Sequence, residues 1–84
     1  MNSWIVLLRG INVGGKNIVP MKQLKEMLDA LGCENVQTYI QSGNALLQHP
    51  ESDRKMLTNQ IAKEMLQRFG FQPHILLLTL AQFD

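Results

Sequence analysis

The hydrophobic positions fall into six segments whose periods alternate between those of strands and helices. Trp4-Ile5-Val6-Leu7-Leu8 is a short β-branched and aliphatic run closed by Arg9-Gly10, and it predicts a first strand. A polar, glycine-rich loop follows, and Pro20 is placed as the first residue of a helix, where a missing N–H costs nothing. Met21, Leu24, Met27, Leu28 and Leu31 then repeat at helical spacing until Gly32 stops the helix. Val36, Thr38 and Ile40 alternate with Gln37 and Tyr39 as a second strand. Gln41-Ser42-Gly43-Asn44 has turn chemistry, so Ala45-Leu46-Leu47 returns as the third strand of a hairpin. Ser52 or Asp53 caps a second helix striped by Leu57, Ile61, Met65, Leu66 and Phe69 and ended by Gly70. Pro73 precedes an apolar run from about His74 to Leu80, which suits an edge strand.

The order βαββαβ with right-handed crossovers predicts an α+β, ferredoxin-like unit: a four-stranded antiparallel sheet, strands one and three central, both helices on one face. The loop after strand one, the start of helix one, the hairpin and the exit from helix two then share one end of the sheet. A sheet with one wet face should alternate apolar and polar residues. Trp4 to Leu8 and Ile75 to Leu78 instead are apolar on both sides. Two helices cover only one side, so a second cover is expected on the other. The candidates are a covalently linked C-terminal half of a longer protein or a second copy in a homodimer.

Composition narrows the class. Residues 1–84 hold one domain, 45% hydrophobic and 18% charged, which is globular. The single cysteine, Cys33, has no partner for an internal disulfide and suits a reducing cytoplasm; beside a glycine turn it reads as filler. The run Trp4 to Leu8 is too short for a signal peptide or a membrane span. A net charge of +1 argues against general nucleic-acid binding, and the third strand lacks the aromatics an RNA-binding sheet uses. The charges are nonetheless segregated. Residues 1–25 carry Arg9, Lys16, Lys22 and Lys25 with no acid, while residues 26–53 carry five acids and no lysine or arginine.

That basic block includes Arg9-Gly10-Ile11-Asn12-Val13-Gly14-Gly15-Lys16-Asn17. Glycines allow positive φ and turn backbone N–H groups inward into an anion-binding concavity. Gly10 to Lys16 fits the G-x-x-x-x-G-K part of a P-loop. It fails where Asn17 replaces the magnesium-binding Ser or Thr, where Pro20 delays the helix, and where no Walker B aspartate ends a strand. A simpler phosphate or carboxylate site remains, and so does a plain glycine loop. Gln41, Ser42 and Asn44 are ordinary turn residues, but in this topology they face the same end. The candidate ligand-binding set is therefore Arg9, Asn12, Gly14, Gly15, Lys16, Gln41, Ser42 and Asn44. The alternative is an interaction module whose residues only shape turns and dock a partner. No catalytic signature or cofactor motif is present, and His49 and His74 lack partners at metal-ligand spacing.

The stretch Leu7 to Asn17, with Val19-Pro20-Met21 and Thr38-Tyr39-Ile40-Gln41-Ser42-Gly43-Asn44, resembles the bacterial "domain of unknown function 1697" family, and the resemblance extends over essentially the whole chain. It implies a cytoplasmic protein about twice this length, built of two related α+β halves. This chain is similar to the first half, with residues 79–84 similar to the lead-in to a further helix. The family brings no activity with it.

Overall fold

The computed structural model describes residues 2–11, 14–15, 17–39 and 44–79. Its elements run β1 (Asn2–Arg9), α1 (Met21–Ala30), β2 (Glu34–Tyr39), β3 (Asn44–His49), α2 (Arg54–Phe69) and β4 (His74–Thr79). The strands form one antiparallel sheet in the order β2-β3-β1-β4, so β1 and β3 are central and β4 is an edge, as the pattern predicts.

Alternation along the strands explains the core. Trp4, Val6 and Leu8 of β1, Ala45 and Leu47 of β3, Val36 of β2 and Leu77 of β4 join one buried cluster. From the helices, Leu24, Met27 and Leu28 of α1 and Leu57, Ile61 and Met65 of α2 complete it. Both helices thus lie against one face. Leu66 departs from the expected stripe. At 48% exposed it sits on the solvent side of α2, one step beyond the core contact made by Met65.

Helix boundaries follow capping chemistry. Pro20 is the N-cap of α1 rather than its first helical residue, with an extended ψ of 133°, and Met21 begins the helix. At the far end Gly32 takes φ 91°, a left-handed conformation that a Cβ would strain. In α2 the cap is Asp53, not Ser52: its Oδ1 accepts from the Lys55 and Met56 amides at 2.9 and 3.3 Å. β2 starts two residues earlier than its alternation suggests. Asn35 at φ 53° and a register shift between Glu34 and Gln37 mark a bulge there, which interrupts the period-two pattern. Asn35 Nδ2 bonds Gln48 Oε1 across the pair at 2.6 Å.

Asp53→Ala removes the only side-chain cap that either helix possesses among the described residues. The expected cost is about 1 kcal/mol of folding stability, measurable by urea titration, with the slope of the transition unchanged.

Candidate functional site

The strand register fixes which residues meet at the glycine-loop end. β1 runs toward Arg9, and Leu7 pairs with Asn44, so β3 begins beside the point where β1 ends. On the other flank Arg9 pairs with His74, the first residue of β4. Because Leu8 and Ala45 point into the core, Arg9 and Asn44 lie on the opposite face of the sheet. They are diagonal neighbours across the β1–β3 pair, roughly 7–8 Å apart at their Cβ atoms, within reach of an arginine side chain. Arg9 is exposed and Asn44 half-buried.

The loop after β1 is anchored at both ends. Ile11 and Val19 are buried in the core cluster. Asn17, at φ 52°, donates from Nδ2 to the Gly10 carbonyl at 3.0 Å and closes the intervening segment. Gly14 and Gly15 are exposed and adopt φ 59° and 75° in succession, a conformation that frees their N–H groups from strand-like pairing. A Cβ at either would meet nothing within 4 Å, so backbone conformation rather than crowding demands glycine. Of the eight candidates, Arg9, Gly14, Gly15 and Asn44 are thus brought to one end of the sheet. Asn12, Lys16, Gln41 and Ser42 lie outside the described residues.

The two helices treat their N-termini differently. α2 satisfies its own amides with Asp53. Among the described residues α1 has no side-chain cap and no acid in its first turn, so its partial positive charge faces the glycine-loop end. An open groove of about 650 Å³ does lie at the opposite end of the sheet, lined by Trp4, Ser52, Asp53, Arg54 and their neighbours. Its centre is already satisfied: Trp4 Nε1 donates to the Glu51 carbonyl at 3.2 Å, and the Asp53 carboxylate occupies the helix amides.

Two histidines read differently in the structure. His49 ends β3, beside the connection to α2, and is buried. Its Nδ1 accepts from the Glu51 amide at 3.0 Å, which leaves the proton on Nε2, donated to the Leu31 carbonyl at 2.9 Å. It is a structural tie between the end of α1 and the lead-in to α2. His74, by contrast, is exposed beside Arg9 and joins the candidate site. Only the β1–β4 register reveals this, and no local pattern encodes it. Among the described residues no cluster of three His, Cys, Asp or Glu side chains is arranged to hold a metal ion, and no helix is long and apolar enough to cross a membrane.

A protein family described as "Protein of unknown function (DUF1697)" matches residues 1–84. Among solved structures the chain is similar to the conserved bacterial protein SP0830 from Streptococcus pneumoniae, at 35% identity and a TM-score of 0.85 over 98% of this chain. The chain spans 45% of that protein's length. No curated protein matches.

Cys33 is buried in the core cluster, and its thiol is pushed up to about 11, first by burial and then by the nearby Asp29 carboxylate. The neutral thiol is what folding favours. Its contribution to stability is therefore complete below the unfolded value of 9.0 and declines as pH climbs from there toward 11. Labelling by a thiol-disulfide reagent is expected to be at least a hundred-fold slower in the native protein than in urea; comparable rates would mean the thiol is accessible.

Proposed function

The chain belongs to the DUF1697 family, whose description assigns no function, and we propose that it binds a small phosphate- or carboxylate-bearing ligand at the glycine-loop end of its sheet. Arg9 and Lys16 supply charge, Gly14 and Gly15 supply backbone donors, and Asn12, Gln41, Ser42 and Asn44 orient the ligand through hydrogen bonds.

The observation that carries this reading is the pair of consecutive exposed glycines at positive φ at the same end as the exposed Arg9 and the start of α1, which has no side-chain cap among the described residues. Backbone N–H groups, a guanidinium and a helix N-terminus all favour negative charge, and they act through different chemistry. The sequence adds to this: the first 25 residues contain four basic side chains and no acid, so nothing in that segment competes as an internal anion. Asn44 supplies the neutral hydrogen-bonding group that fixes orientation in such sites. The ligand meets a rigid floor, because Arg9 and Asn44 stand on central strands rather than on free loops.

Thermal-shift measurements with inorganic phosphate, sugar phosphates, nucleotides and dicarboxylates test the reading. At ten times its dissociation constant a ligand adds about 1.4 kcal/mol, several degrees in melting temperature for a domain this small. Arg9→Ala and Lys16→Ala are each expected to weaken binding by about 1–3 kcal/mol, while the melting temperature without ligand stays within a degree or two. A variant that loses stability and binding in equal measure assigns that side chain to the fold, and failure of every anion to shift the wild-type chain rejects the site.

A further inference from the structure

The sheet face turned away from the helices is apolar across three strands. β1 contributes Ile5 and Leu7, β3 contributes Leu46, and β4 contributes Leu76 and Leu78, each alternating with residues of the core cluster. The register aligns Leu46, Ile5 and Leu78 in one row and sets Leu7 beside Leu76 in the next. Ile5 is only 8% exposed although it stands outside the core cluster, and Leu7, Leu46 and Leu78 are half-buried. Leu76, on the edge strand, is 39% exposed. No charged residue interrupts the two rows, and Arg9 stands at their margin. Such a face amounts to an apolar patch on the order of a few hundred Å², the size that marks an interaction surface on a water-soluble domain.

The length of the solved relative suggests the occupant. SP0830 is 35% identical over 98% of this chain, yet a little over half of its length lies outside the match. That remainder is large enough for a second folded unit of at least this size. Geometry agrees. β4 carries Leu76 and Leu78 and is the edge strand, so any segment following Thr79 starts at the margin of the apolar face. We propose that the open face docks a second folded unit of the same polypeptide, counterpart to the unmatched part of SP0830, through an apolar surface of its own. A charged peptide is a poor fit, because the two rows offer no ionic partner to its side chains. This proposal concerns the face of the sheet and stands whether or not the loop end binds an anion.

The test introduces Leu76→Cys and, separately, Leu78→Cys into the polypeptide as the cell makes it and into the 84-residue chain, with native Cys33 as the buried reference thiol. Labelling rate and mass by light scattering are read together. The expected result is a monomeric natural polypeptide in which both new thiols label at least ten-fold more slowly than in the 84-residue chain. Fast labelling in a monomeric natural polypeptide overturns the proposal by leaving the face open. Protection that appears only at twice the monomer mass, and vanishes on dilution, overturns it in favour of a second copy.

Discussion

The side chains of β1 alternate between two apolar surfaces, and every other element takes its position from that alternation. Trp4, Val6 and Leu8 hold the helices on one side, and Ile5 and Leu7 form the spine of the apolar face on the other. Both β3 and β4 hydrogen-bond to this strand over six residue pairs each. A slip of one residue in either pairing would send leucines of the partner strand to the wrong side. The register that fills the core is therefore the same register that assembles Arg9, Asn44 and His74 at one end.

That coupling keeps the polar groups at the strand ends apart from the packing. The core uses the inward residues of the strands and one stripe of each helix, whereas the charged and amide groups sit where the strands terminate. Glycines at positive φ appear where the chain leaves the sheet or a helix, as at Gly10, Gly32 and Gly70, and also in succession at Gly14 and Gly15. The first three end an element. The last pair ends none, which sets the loop between β1 and α1 apart from the other described connections.

Much of this architecture is legible in the sequence because it depends on periodicity and on punctuating residues. Period-two and helical stripes give the six elements in order, and Gly32 and Gly70 mark where the helices stop. Three features escape local reading. The bulge at Asn35 breaks alternation, so β2 begins before its pattern does. His49 looks like a polar residue at a loop margin, yet the fold buries it; the Glu51 amide is a local partner, but only tertiary structure brings the Leu31 carbonyl to it. His74 becomes a neighbour of Arg9 through a pairing 65 positions apart in sequence. Of the candidate site, the positive φ of Gly14 and Gly15 and the placing of Arg9 and Asn44 at one end follow from turn chemistry and topology. No residue pattern along the chain names a ligand, since hydrogen-bond donors of this kind suit many anions.

The pairing of Trp4 with Thr79 has a consequence for how the protein is made. β1 leaves the ribosome before the other described strands, and its β4 neighbour emerges after β2 and β3. At about 5–20 residues per second, β1 waits several seconds with one edge unpaired and leucines on both sides. During that interval the nascent chain offers an open apolar template to any neighbouring strand. Slow, long-range closure of this sort is where molecular chaperones act on a newborn domain, and the growing chain is at its most vulnerable until Leu77 and its neighbours reach the sheet.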